Sequence, residues 1–290
     1  MREIWFIINP KSGTKLKNGI EGLKNEILQI SKQFSNTNTE IKSTTHAGHA
    51  FELALEAVKA KVAIVVAVGG DGTANEVGRG VVHSQTAMAI VPLGSGNGLA
   101  RHLGIPMNVS AAIRCVFEGK NHLIDSAKLN DIPFFCTAGL GFDAEVAGQF
   151  AKQKSRGLIT YVKLSILTFF RFVAQFYTID GIEKQLFTLT FANASQYGNN
   201  AYIAPNAIID DGLLDVCQWR PNPFYRSLEM VWRLFTKRLN QSKYISIVQT
   251  KTVKVQTAKP SLIHYDGESL QLNTNTFEVE IVPKSLWIVC

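Results

Sequence analysis

One stretch, residues 62–73, constrains this chain more than any other. A continuous apolar run, VAIVVAV, ends on Gly69-Gly70, offers a carboxylate at Asp71, and restarts after Gly72 as a helical pattern at Thr73. An apolar run without polar alternation suits a strand buried on both faces, the condition of a parallel sheet covered by helices. Glycines at its end permit a sharp turn and close backbone approach, and the N–H groups of a helix start bind anions. Thr73 suits a helix cap or a phosphate contact; Asp71 suits Mg²⁺ binding or proton acceptance. By itself, GGDG is equally the sequence of a tight turn.

The arrangement recurs on either side. Residues 3–8 form a short apolar run leading into NPKSG (9–13), and residues 87–91 form another leading into PLGSGNGLAR (92–101). Helical spacing links them, through Ile20, Leu23, Ile27 and Ile30 within 19–34 and through Phe51, Leu55 and Val58 within 50–60. Alternating β and α predicts a doubly wound parallel sheet whose loops gather at one edge. Lys11 would add positive charge there, and Ser12 and Ser95 hydroxyl donors. Neither GxxxxGK[ST] nor a GxGxxG opening the first helix occurs, so the expected phosphate cradle is of another make.

Beyond Leu123 the texture changes. Short β-type runs (134–138, 185–192, 213–219, 246–256 and 277–282) are interrupted by helical stretches only near 160–176 and 224–239. This predicts a mostly antiparallel β domain with helical insertions. A length of 290 residues suits two domains. The expected division is 1–123 and 124–283, with 284–290 a candidate return to the first. No linker separates the halves, which are expected to abut around a cleft.

Charge and cysteine narrow the partners. Thirty basic against 23 acidic residues leave +7, which points to nucleic acid, an anionic membrane or a phosphate-bearing substrate. Nucleic acid drops out, because no recognition motif or aromatic stacking platform accompanies the charge. Cys115, Cys136, Cys217 and Cys290 form no CxxC, against a disulfide scaffold or zinc knuckle. The N-terminus lacks a signal-peptide cleavage pattern, and Lys163 and Arg171 interrupt the longest apolar stretch, 158–177. The expectation is a cytoplasmic protein that touches the inner membrane face without crossing it; a homodimer stays open.

Two apolar features carry alternatives. Phe224, Leu228, Val231, Phe235 and Leu239 mark one helix face, and residues 220–243 hold six Lys/Arg against Glu229. That is either a core helix with a solvated charged face or a basic helix lying on anionic lipid. Phe169, Phe170, Phe172 and Phe176 suit either a core or an acyl-chain pocket.

NPKSG, GGDGTANEV and PLGSGNGLAR, in this order and spacing, resemble the catalytic domain of the diacylglycerol kinase, sphingosine kinase and bacterial lipid kinase superfamily. The resemblance continues through AGLGFDAEV (138–146), APNAIIDDGLLDV (204–216) and HYDGE (264–268), nearly the whole chain, and is nearest to the soluble bacterial lipid kinases. It implies an N-terminal α/β nucleotide domain like those of NAD kinase and phosphofructokinase, then a β-sandwich. It further implies ATP, Mg²⁺ and a lipid substrate. Asn9, Pro10, Lys11, Ser12, Gly13, Thr44, Gly69, Gly70, Asp71, Gly72, Thr73, Ala74, Asn75 and Ser95 match the ATP-contacting positions. Asp71 matches an acid that works with Mg²⁺-ATP or takes the substrate proton. Asp266 and Glu268 match the pair from which the base is drawn, Glu268 being favoured. A regulatory Mg²⁺ would lie on Asp211 and the carbonyls of Ile208 and Leu213.

The residues themselves leave other readings open. Asp210-Asp211-Gly212 also reads as a turn, and HYDGE as a hairpin with Asp-Gly at its tip. On a continuous strand, Asp266 and Glu268 would instead share one face. Ser95 and Asn97-Gly98 replace the superfamily's usual Thr and Asn-Asp and lean toward the sphingosine-kinase branch. The acceptor is therefore diacylglycerol, a sphingoid base or another hydroxylated lipid, with Glu145 facing it. The rivals are an NAD kinase-like small-molecule kinase and a non-catalytic lipid- or nucleotide-binding regulator.

Overall fold

A computed structural model describes residues 1–12, 19–153 and 157–290. The chain divides into two compact units, Met1–Ile124 with Lys284–Cys290, and Asp125–Pro283.

The first unit is built from parallel strands: β1 (Arg2–Ile8), β2 (Thr37–Ser43), β3 (Ile64–Gly69) and β4 (Ala87–Pro92), in the order β2-β1-β3-β4. Every residue of β3 and β4 is buried, as their unbroken apolar runs demand. Helices α1 (Gly19–Ser31), α2 (His49–Lys59), α3 (Asp71–Val81), α4 (Gly98–His102) and α5 (Val109–Glu118) follow or connect the strands. α2 packs on α3, and α1 on α5. Strand β2, TNTEIKS, has no apolar run and was absent from the sequence expectation. It lies at the sheet edge, where one ladder suffices and polar alternation is tolerated.

The second unit is a β-sandwich of antiparallel strands. It takes in most of β5 (Asn121–Leu129), then β6 (Ile132–Phe134), β7 (Thr137–Gly141), α6 (Phe142–Ala151) and α7 (Leu158–Phe169). There follow β8 (Gln175–Ile179), β9 (Ile182–Leu186), β10 (Thr188–Ala192), β11 (Leu214–Trp219) and α8 (Ser227–Phe235). The last are β12 (Ile245–Thr250), β13 (Thr252–Thr257), β14 (Leu262–Tyr265), β15 (Glu268–Gln271) and β16 (Thr276–Val289). One sheet runs β12-β11-β10-β7-β14-β15; the other includes β16, β13, β8 and β9. Phe191 and Val216 of the first meet Val255 and Phe277 of the second in one core. Fully burying each such side chain stabilises by about 1.5–3 kcal/mol.

Three expected runs divide differently. Residues 185–192 are two strands, and so are 246–256, because the chain bends at Phe187 and at Lys251 and passes there from one sheet to the other. The helix expected over 224–239 is only α8 with a single 3₁₀ turn at each end, since Lys237 takes a φ of +59 that helix cannot continue through. β16 is longer than the apolar run 277–282, and its last residues return to the first unit, pairing in parallel with β4 at Ile288 and Met88.

Candidate active site

In the first unit, the loops after β1, β3 and β4 leave neighbouring strands at their C-terminal ends. Side chains lock them together. Asn9 Nδ2 donates to Thr73 Oγ1 (3.1 Å), while its Oδ1 accepts the Lys11 N–H (3.0 Å). Asp71 Oδ2 accepts the Asn97 N–H (2.8 Å) and Oδ1 the Gly98 N–H (2.7 Å). Gly70 and Gly94 touch backbone to backbone: a Cβ on Gly94 would lie 2.6 Å from Gly70 Cα and 2.8 Å from Asn97 Oδ1.

This frame places the expected nucleotide residues in different situations. Thr73, Ala74 and Asn75 are buried in α3, whose N-cap residue, Gly70, has no side chain to cap the first turn. Its N–H groups are therefore presented for an anion. Pro10, Lys11 and Ser95 are exposed, Ser12 and Gly72 half-buried, and Gly69 buried. Thr44, just past β2, is buried and donates its N–H to the Ile8 carbonyl (2.9 Å). Gly13 lies outside the described residues. Asp71 acts here as a brace between the second and third loops, each oxygen taking one amide at the start of α4.

In the second unit, Tyr265 pairs opposite Glu268, so Asp266-Gly267 is a two-residue hairpin loop. Both residues have positive φ (+44 and +85), the requirement of a type I′ turn. HYDGE is therefore not a continuous strand, and its two carboxylates diverge. Asp266 turns inward, 7% exposed, and accepts three successive amide N–H groups: Phe135 (2.8 Å), Cys136 (2.8 Å) and Thr137 (3.1 Å). Three consecutive N–H groups converging on one anion form a nest. Glu268 is exposed at the start of β15.

Beneath the hairpin lies a polar network that sequence reasoning missed. Asp143 Oδ2 accepts from Thr190 Oγ1 (2.9 Å) and the Tyr197 hydroxyl (3.0 Å), and lies 3.0 Å from His264 Nε2. Asp143 and His264 are both buried. Burial by itself pushes the Asp143 carboxyl up, but His264 and the Thr188 and Thr190 hydroxyls outweigh it and hold the carboxyl below its ordinary range. Burial, with the charge of Asp143, raises the Tyr197 phenol and keeps it a neutral donor. Glu145, two residues further on, accepts from Gln149 Nε2 (3.0 Å). An acid directly after Gly-Phe and before a buried helix turn was the available signal for Asp143.

The expected metal loop is built around another missed residue. Asp125, fully buried, accepts the Gly212 N–H (2.7 Å), and its own N–H donates to the Ile209 carbonyl (2.9 Å). Asp211 is exposed and accepts the Leu213 N–H (2.9 Å). Burial, then the charge of Asp211, raises the Asp215 carboxyl to about 6. Carboxylates such as these are the oxygen ligands that a hard divalent cation takes. Among the described residues, no three His, Cys, Asp or Glu side chains cluster as metal ligands. No described helix is long and apolar enough to cross a membrane.

The family described as "Diacylglycerol kinase catalytic domain" matches residues 3–129, and "YegS C-terminal NAD kinase beta sandwich-like domain" matches 136–290. A "Probable lipid kinase YegS-like" protein of Klebsiella pneumoniae is 25% identical over 97% of this chain and 93% of its own length. A "Diacylglycerol kinase" of Bacillus subtilis is 27% identical over 92% and 90%. An uncharacterized protein of Synechocystis sp. is 30% identical over 77% of this chain, which spans about half (53%) of that relative. A crystal structure of a diacylglycerol kinase from Bacillus anthracis superposes with a TM-score of 0.74 at 20% identity, covering 99% of this chain and 96% of that one. An α/β domain with three interlocked glycine loops, followed by an antiparallel β-sandwich, defines the class as that of the lipid kinases. The chain belongs to the diacylglycerol kinase and YegS-like lipid kinase superfamily.

Proposed function

We propose that this protein transfers the γ-phosphate of ATP to the hydroxyl of a lipid, a diacylglycerol or a sphingoid-type acceptor. The reading is carried by the three interlocked glycine loops, which together offer the start of α3, capped only by Gly70, to a polyphosphate. The transferred phosphoryl group passes through a loose transition state, so the protein's task is positioning and charge stabilisation. Amides at Gly70–Thr73 hold phosphate oxygens, Asn9 orients the Thr73 hydroxyl, and Lys11 and Ser95 add a cation and a donor from exposed positions. Asp71 keeps the second and third loops in register. Glu268, exposed beside the hairpin tip, takes the proton of the acceptor hydroxyl; Asp266 positions it from the nest.

Mg²⁺ arriving with the nucleotide supplies charge neutralisation on the phosphates. A second, regulatory Mg²⁺ would be held by Asp211 and the carbonyls of Ile208 and Leu213, an all-oxygen set. The test is a transfer assay with radiolabelled ATP, Mg²⁺ and detergent micelles of diacylglycerol, a sphingoid base or another hydroxylated lipid, with NAD⁺ as competitor. Labelled lipid phosphate is expected. Labelled NADP⁺, or no transfer to any acceptor, overturns the reading.

A further inference from the structure

Helix α8 is turned inside out relative to an ordinary surface helix. Leu228, Val231, Trp232 and Phe235 fall at i, i+3, i+4 and i+7, the stripe that normally faces a core. Here all four are exposed, Leu228 by 83%. The helix is held by its other side, where Met230 and Leu234 pack with Ile203, Ala207 and Leu239. Leu239, expected from sequence to continue the apolar face, is fully buried and belongs to that anchor.

A second exposed stripe runs along α7. Along α7 and the segment after it, Ile159, Val162, Ile166, Phe170 and Val173 repeat at three- and four-residue steps and are all exposed, Ile159 by 87% and Val173 by 76%. Phe224, just before α8, joins the two: its ring lies 5.5 Å from that of Phe170 and 6.0 Å from that of Phe169. Behind this junction Phe169 packs on Phe142 and Phe187, and Phe187 on Trp219. The patch is thus backed by the sandwich rather than carried on a loose loop. An exposed apolar surface of this continuity marks an interaction site.

Charge selects the occupant. Residues 220–243 hold six Lys/Arg and one acid, Glu229; within 157–176, Lys163 and Arg171 are exposed and no acid occurs. Glu229 is bonded by Arg226 (2.8 Å) and Arg233 (2.9 Å), so the one negative charge is neutralised locally. A second copy would bring the same positive field against itself, which argues against self-association through this face. Exposed Tyr225 and Trp232 are the side chains that favour a lipid headgroup boundary.

We propose that the joint face of α7 and α8 docks on an anionic lipid bilayer, with the two apolar stripes at the acyl boundary and the flanking Lys and Arg on headgroup phosphates. This deepens the lipid-kinase reading and rests on it for the purpose of docking: the acceptor is drawn from the same bilayer.

The test is cosedimentation of the full chain, without nucleotide, with phosphatidylcholine–phosphatidylglycerol vesicles and with phosphatidylcholine alone. Binding is expected only to the anionic vesicles, falling steeply with salt. L228Q/W232Q is expected to lower the partition coefficient by more than tenfold, and K237E/R238E by about fivefold or more for each charge lost. Both variants change exposed residues, so their melting temperatures should match the parent; if one does not, the other carries the result. Equal binding to neutral and anionic vesicles, or unchanged binding by both variants, overturns the proposal. So does a dimer that L228Q/W232Q dissociates while vesicle binding persists. Transfer to micelle-delivered lipid separates the two readings. Loss of docking with transfer intact sinks only this proposal, and docking without transfer sinks only the kinase assignment.

Discussion

Replacing Asp266 by Asn separates a structural carboxylate from a catalytic one. Asn tolerates the left-handed backbone at φ +44, so the hairpin turn survives and only the side-chain chemistry changes. The aspartate accepts three amide N–H groups, two at 2.8 Å and one at 3.1 Å, in a buried setting. Hydrogen bonds to a charged acceptor contribute about 1.5–3 kcal/mol each and neutral ones about 1 kcal/mol. The amide keeps one oxygen, so two bonds weaken and the third is replaced by an N–H facing an N–H of fully buried Phe135. The expected loss is about 4–6 kcal/mol, or about 10–20 °C in melting temperature for a unit of this size. E268Q, at an exposed position, should leave melting almost unchanged while lowering kcat by about 10²–10⁴-fold. Calorimetry and the transfer assay, run on both variants, give the answer. A D266N protein that melts like the parent but has lost turnover would refute the nest argument and return the base to Asp266. An E268Q protein with full turnover removes Glu268 from the chemistry.

Two further substitutions probe the rest of the framework. G94A drives a Cβ to 2.6 Å from Gly70 Cα and should spread the second and third loops. Titration calorimetry should show weakened ATP binding, and kcat/KM should fall on the order of 100-fold, with circular dichroism unchanged. H264Q removes the partner that keeps the Asp143 carboxyl low. That carboxylate's stabilising contribution is present above its unfolded pKa of about 4 and is lost as pH falls through its lower folded value. The variant should therefore acid-unfold at a higher pH than the parent, read by circular dichroism across a pH series; an unmoved acid midpoint would count against the pair.

What the sequence determined by itself was whatever depends on neighbours along the chain. The apolar runs 62–68 and 87–91 specify buried parallel strands because no polar residue interrupts them. The glycines after them specify loops at one sheet edge because strand direction follows from the alternation with helices. The Asp-Gly at 266–267 already suited a two-residue hairpin. Strand β2 was illegible because an edge strand needs no apolar run.

Tertiary structure alone decided which polar groups are occupied and which are offered. Asp71, Asp266 and Glu268 look alike in a sequence, yet amides from residues 26 or more positions away claim the first two and leave the third exposed. Asp125 meets Gly212 and Asp143 meets His264 across separations of 87 and 121 residues, distances over which no local pattern carries information. The apolar stripe of α8 was visible from spacing, but its outward direction was not. Spacing shows that a helix has an apolar face; only the packing of Met230 and Leu234 shows that this face is not the one the protein buries. Burial is a property of what else is nearby, and that is set by the whole fold.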